Sequence, residues 1–170
     1  VVSAENACLN LDKEIPDWDF DKVKIQTSEL WNKELGKIKV SGTSEERKSV
    51  FYTALYHSML SPNTFNDVDG TYLGRDFKVH KTESGNYYTV FSLWDTYRAL
   101  HPLMTIIDHK RTNEFINTFI SQYKQGGMLP VWELAANETW CMIGYHAVPV
   151  IADAWIKGIR GYDGHEALKA

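Results

Sequence analysis

The sequence predicts a mainly α domain, and three observations carry that prediction. Apolar residues recur at helical spacing in four or five separate stretches, each opened by a capping residue or closed by Gly or Pro. Apart from a weak signal at the N-terminus, strand-like pieces are short and lie between Asn63 and Val90. Trp, Asp, Glu and His gather at helix starts and in the loops between helices. An α/α toroid is the natural host for that pattern, because its loops at one end collect such residues around a pocket. At 170 residues the chain is long enough for about one core.

Taken in order, residues 1–11 begin with two β-branched residues and carry a weak strand signal. Ile15-Pro-Asp-Trp-Asp-Phe-Asp21 places a Pro and three acids ahead of Val23, Thr27, Leu30, Trp31 and Ile38, which predicts an amphipathic helix from about 19 to 37. Gly42 breaks it. Thr43-Ser-Glu-Glu46 reads as a capping box for a second helix with Phe51, Leu55, Ser58 and Met59 on its buried stripe, closed by Pro62. Gly70-Thr-Tyr-Leu-Gly74 and Asn86-Tyr-Tyr-Thr-Val90 then predict a small irregular β-hairpin inserted between helices. Asp67-Val-Asp-Gly70 reads as a turn, because an EF-hand loop with Gly70 at its sixth position would need an acid where Phe65 stands.

Ser92 is a natural N-cap with Asp95 three residues on, which predicts a helix from Leu93 to about Ile107 that Pro102 kinks or divides. Phe115, Ile116, Phe119, Ile120 and Tyr123 make the apolar face of the next helix, about 111–124, ended by Gly126 and Gly127. The stretch 128–136 is too apolar for a solvated loop, and its Trp132 and Glu133 suit a binding group. A last long helix is expected from Asn137 or Glu138, kinked at Pro149 and ending at Gly158 or Gly161. Met142, His146, Pro149 and Asp153 share one stripe of it, and Ile143, Ala147, Val150, Ile151 and Ala154 another.

The net charge of −4 and the lack of a Lys/Arg cluster exclude a nucleic-acid partner, whose phosphates demand a basic patch. No apolar run approaches the ~20 residues of a membrane span, and the N-terminus has no signal-peptide pattern. The chain begins as if in mid-protein. Cys8 and Cys141 are expected to be two buried thiols rather than a disulfide or a zinc site.

The chemistry concentrates at 89–102. Trp94, Asp95 and Arg98 lie on one side of a helix start, and sugar sites use such a set: carboxylate and guanidinium each take two hydroxyls, and an indole covers the apolar face of a pyranose. The plainer reading is a capping Asp95 in an i,i+3 ion pair with Arg98. His146 is equally a packing histidine, Asp153 a partner for a Lys or a backbone group, and Glu138 an acid complementing a helix dipole.

Ser92-Leu-Trp-Asp-Thr-Tyr-Arg-Ala-Leu-His-Pro-Leu103, Gly126-Gly-Met-Leu-Pro-Val-Trp132 and Asn137-Glu-Thr-Trp-Cys-Met-Ile-Gly-Tyr-His146 together closely resemble the exo-acting α-mannosidases of glycoside hydrolase family 92. Phe51-Tyr-Thr-Ala-Leu-Tyr-His57, Asp67-Val-Asp-Gly70, Ile151-Ala-Asp-Ala154 and Lys157-Gly-Ile159 are similar to that family too, so the resemblance covers nearly the whole chain. It implies an N-terminal β-sandwich followed by a six-hairpin α/α toroid. Residues 1–40 would then be the end of the sandwich and a helical linker, and 41–170 the first part of an incomplete toroid.

The resemblance also implies calcium-dependent hydrolysis of terminal α-mannosides on N-glycan-type glycans, with inversion, by a secreted, periplasmic or cell-surface enzyme. Inversion needs a general acid and a general base. The family motifs that hold them, one with Glu-Gly-Asn and one with Gly-Asn-Asp-Asp, do not occur here, so no catalytic residue is assigned and the chain alone is expected to be inactive. The substrate-binding residues implied by motif position are Trp94, Asp95, Arg98, Trp132, Glu138 and His146; no calcium ligand is assigned. The implied partners are a mannose-containing glycan and the remainder of a parent protein. A noncatalytic carbohydrate-binding or structural helical module is the alternative, and another α/α-toroid glycosidase a third.

Overall fold

The computed structural model describes residues 1–83 and 85–170. Its first element is a helix, α1 (Ala4–Glu14), where the sequence suggested a strand. Ser3 caps it by accepting from the Asn6 amide, and the β-branched pair falls before the cap, where the Val2 amide donates to the Asp67 carboxylate at 3.0 Å. Helix α2 (Phe20–Leu35) is capped by Asp19, as its acid-rich approach predicts. Helix α3 (Glu45–Ser58) takes Ser44 as its cap, one residue later than the expected capping box, with the Ser44 hydroxyl accepting from the Arg47 amide.

The insertion holds two hairpin-like pairs instead of one. Strand β1 (Asn63–Thr64) precedes β2 (Thr71–Leu73), β3 (Val79–Lys81) and β4 (Tyr88–Thr89). The two predicted pieces do not pair with each other: β2 pairs antiparallel with β3, and β4 with β1. They meet through side chains, Tyr72 stacking on Tyr87 with centroids 3.8 Å apart. The Asp67–Gly70 turn forms as expected, with Gly70 at φ 86 and its amide donating to the Asp67 carbonyl at 2.8 Å.

Beyond β5 (Phe91–Ser92), the expected long helix is two: α4 (Leu93–Thr96) and α5 (Leu100–Ile107). The break falls at 97–99, ahead of Pro102. Pro102 sits in the first turn of α5, where a missing N–H costs no helical bond. Helix α6 (His109–Gly126) ends on left-handed Gly127, φ 79. Strands β6 (Trp132–Leu134) and β7 (Asn137–Glu138) then occupy the apolar stretch and the expected start of the last helix. Trp140 at φ 59 and Gly144 at φ 95 are incompatible with helix there. Helix α7 (Ala147–Ile156) begins only after His146, with Pro149 again in a first turn, and a further helix, α8 (Gly164–Lys169), follows.

The core lies where α5, α6 and α7 meet one another and β4–β5. Phe91, Leu93, Phe115, Ile116 and Phe119 are at most 1% exposed. Helices α1 and α2 contribute no buried residue. Polar contacts and the edge-on pair of Trp31 with Tyr56 of α3, centroids 4.6 Å apart, hold them instead. Asn10 donates to Asp67 at 2.8 Å, and Arg111 and Lys37 bridge Glu34 and Asp108 at 2.6–2.9 Å. With no buried face on α1, Cys8 is exposed, and Cys141, in the irregular link after β7, is exposed too; neither is the buried thiol expected. Among the described residues the helices close no ring, and no helix is long and apolar enough to cross a membrane.

Candidate functional site

Strands β5, β6 and β7 form one small antiparallel sheet, with Ser92 opposite Trp132 and Glu133 opposite both Phe91 and Glu138. Alternation along β6 turns Trp132 and Leu134 to one face and Glu133 to the other. Trp132 is accordingly half-buried, Leu134 exposed and Glu133 wholly buried. Glu138 is not in a helical first turn. Its carboxylate accepts from the amides of Val131 at 2.8 Å, Trp132 at 3.0 Å and Thr139 at 3.1 Å. It therefore sets the backbone that carries Trp132.

A second group forms where α4 meets the start of α7. His146 stacks on Tyr97 with centroids 4.2 Å apart and lies 4.7 Å from the Trp94 ring. The Arg98 guanidinium lies 5.2 Å from the Trp94 centroid and 5.5 Å from that of Tyr97, and its Nε donates to the Trp94 carbonyl. Stacking on aromatic faces is a favourable arrangement for Arg. Gly144 makes room for the imidazole: a Cβ there would stand 2.7 Å from the ring of His146.

Asp95 is apart from Arg98. Its carboxylate accepts from the Ser92 hydroxyl at 2.9 Å, and among the described residues no ion pair joins it to Arg98. It borders an open groove of ≈ 410 Å³ together with His57, Ser61 and Leu103. The six residues thus fall into a cluster of Trp94, Arg98 and His146, a hairpin with Trp132 and Glu138, and Asp95. Ser92 links the last two, paired with Trp132 in the sheet and bonded to Asp95. Asp153 takes the plain role foreseen for it, pairing with Lys157 at 2.7 Å.

Tyr97 reads in the sequence only as part of an apolar helical stripe with Leu93, Leu100 and Met104, although its i,i+3 spacing from Trp94 places it beside that ring. Trp140, which carries no functional signal of its own in the sequence, is 76% exposed with a left-handed backbone. Glu133, expected as a loop binding group, is instead an interior carboxyl. Burial pushes its pKa up to about 7 against the downward pull of Thr89 and the amides of Ala136, Phe91 and Val90. Burial alone pushes the core imidazole of His101 down to about 4.

Aromatic faces, a guanidinium and partly open carboxylates can hold a polyhydroxylated ring. Among the described residues no three His, Cys, Asp or Glu side chains gather to hold an ion, and no calcium ligand is assigned to them.

Known proteins share this architecture. The chain is similar to the family GH92 alpha-mannosidase BT3965 from Bacteroides thetaiotaomicron, with a TM-score of 0.93 and 41% identity over 99% of this chain and 23% of that one. It is similar also to the family GH92 inverting mannosidase BT2199 from Bacteroides thetaiotaomicron VPI-5482, with a TM-score of 0.90 and 34% identity over 99% of this chain and 23% of that one. An uncharacterized secreted glycosidase of Arthroderma benhamiae is 28% identical over 162 residues, which are 93% of this chain and 17% of that protein. The chain therefore spans less than a quarter of these relatives. The family described as the glycosyl hydrolase family 92 catalytic domain matches residues 6–170, and the chain belongs to that family.

Proposed function

We propose that the chain is the substrate-pocket part of an exo-α-mannosidase that hydrolyses terminal α-mannosides of N-glycan-type glycans with inversion. The observation that carries this reading is the convergence of Trp94, Arg98 and His146 into one aromatic and cationic surface, at the end of the helix that Ser92 ties to Trp132. A related structure of BT3965 in complex with mannoimidazole, 40% identical, supports a sugar ring as the ligand of this fold.

In this reading Trp94 or Trp132 covers the apolar face of the mannose, Arg98 and Asp95 take hydroxyls, and Glu138 holds Trp132 in place while its remaining lone pair meets the sugar. The general acid and base come from parts of the protein outside these residues, and the calcium that the resemblance implies has no ligand assigned among them. Residues 1–40 serve as the helical linker from a β-sandwich and 41–170 as the first hairpins of the toroid. The similarity to a secreted glycosidase supports a secreted enzyme.

Kinetics of the intact parent protein test the assignment. It should release mannose from an α-mannoside, the 170-residue chain alone should not, and Asp95→Ala in the parent should lower kcat/KM by about 10- to 100-fold, the scale of one hydrogen bond to a charged group. Release of mannose by the isolated chain, or an Asp95→Ala parent as active as the unaltered protein, would overturn the assignment.

A further inference from the structure

The turn between β6 and β7 is built against the preferences of its residues. Leu134 pairs with Asn137, so Ala135 and Ala136 are the whole loop, and both are left-handed, φ 51 and 66. A two-residue hairpin of this kind favours Asn-Gly, because a Cβ is strained at positive φ. Val90, at φ 66, is left-handed as well, where the chain leaves its pairing with β1 and enters the sheet with β6.

All three residues surround one buried pair. The Thr89 hydroxyl donates to Glu133 Oε1 at 2.8 Å and accepts from the Ala135 amide at 2.7 Å. The Ala136 amide donates to the same Glu133 oxygen. The methyl of Ala136 has no solvent exposure and packs with Tyr72 and Tyr87, so a Gly there would lose packing. Glu133 itself has no solvent exposure, and its Oε2 has no protein partner. A strained turn persists only where its surroundings over-determine it, and such turns gather near binding sites.

We propose that Thr89 and Glu133 are positioning residues: they clamp the strained Ala135–Ala136 turn and thereby fix the hairpin on which Trp132 and Glu138 meet the substrate. This rests on the sugar-pocket reading above. The clamp touches no substrate; it acts through Trp132, whose amide and carbonyl are held by Glu138 and Thr139 on the same hairpin.

The test uses the intact parent protein with Thr89→Val, which keeps the shape and removes the hydroxyl, and Thr89→Ser, which keeps the hydroxyl. Thr89→Val should raise KM for a 4-nitrophenyl α-mannoside by about tenfold while kcat stays within about twofold, the signature of lost substrate binding. Thr89→Ser should stay near the unaltered value. Adding Ala135→Gly, which relieves the left-handed position without touching the packed Ala136, should recover most of the loss in Thr89→Val. Hydrogen exchange over 132–138 gives a second readout independent of activity: Thr89→Val should speed it and Thr89→Ser should not. An active parent whose KM is unmoved by Thr89→Val overturns the clamp. An inactive parent overturns the mannosidase reading instead, and the clamp then stands or falls on exchange, unchanged exchange in Thr89→Val refuting it.

Discussion

Gly144 shows how a single residue shapes the candidate site. Its φ of 95 is one that an L side chain adopts only with strain, and a Cβ would enter the His146 ring. Gly144→Ala should therefore displace the imidazole from Tyr97 and cost about 1–3 kcal/mol of stability, measurable by chemical denaturation. An unchanged unfolding midpoint would contradict that.

Two buried titrating groups give a further prediction at this scale. The folded state raises Glu133 from 4.5 to about 7, so its favourable share of stability is whole below pH 4.5 and lost as pH rises through about 7. His101 is held down from 6.5 to about 4, so its share is present above pH 6.5 and lost as pH falls through about 4. The slopes oppose each other between pH 4.5 and 6.5. Glu133→Gln removes one of them, and its unfolding midpoint should rise with pH across that window more steeply than that of the unaltered chain. Parallel profiles would show that Glu133 does not titrate there.

The proximity of Trp94, Arg98 and His146 was accessible from sequence only in part. Helical spacing puts Trp94 and Arg98 one turn apart, but His146 joins them through an irregular link that periodicity misreads. The i,i+3 ion pair failed for a physical reason: Arg98 has aromatic planes to stack on, and Asp95 has the Ser92 hydroxyl.

Among the elements, α6 is the spine, and its face was legible because Phe115, Ile116, Phe119 and Ile120 repeat without interruption between an Asp108 cap and Gly127. Phe119 has no exposed surface and meets Phe91 edge to face at 4.8 Å. Phe119→Ala should destabilise the fold by about 3–5 kcal/mol, read from a denaturation midpoint; a loss below about 1 kcal/mol would mean the core does not centre there. The sequence reads Pro149 as a kink within a longer helix and Pro102 as a kink or a division, and the structure divides the chain before both. Each lies in a first turn, where the helix needs no proline N–H, so each marks a beginning. Strands β6 and β7 were illegible because a run of two or three residues has no measurable period, and the alanines of their turn do not signal left-handed backbone.

For the whole molecule, apolar surface is left uncovered. Ile106, Ile143, Ile156 and Leu168 are 72–86% exposed, while Phe115 and Phe119 on the apolar face of α6 are at most 1% exposed. Helices α5, α6 and α7 bury their stripes in one another, and the exposed residues lie on α5 (Ile106), α7 (Ile156), α8 (Leu168) and in the link before α7 (Ile143). A 170-residue chain with such surface should bind a hydrophobic dye and self-associate in sedimentation; a dye-silent monomer would show that the exposed residues do not act as a patch. The mainly α class and the family were legible because helical periodicity and three long motifs extend over most of the chain. Pocket geometry was not, because it depends on how separate motifs meet.

The central claim, that these residues line a mannose pocket, is tested most directly by a structure of the intact protein with mannoimidazole bound. The account predicts the ring against Trp94 or Trp132, with Asp95 and Arg98 within hydrogen-bonding distance of its hydroxyls. A ring bound elsewhere, touching none of Trp94, Asp95, Arg98, Trp132, Glu138 and His146, would contradict it.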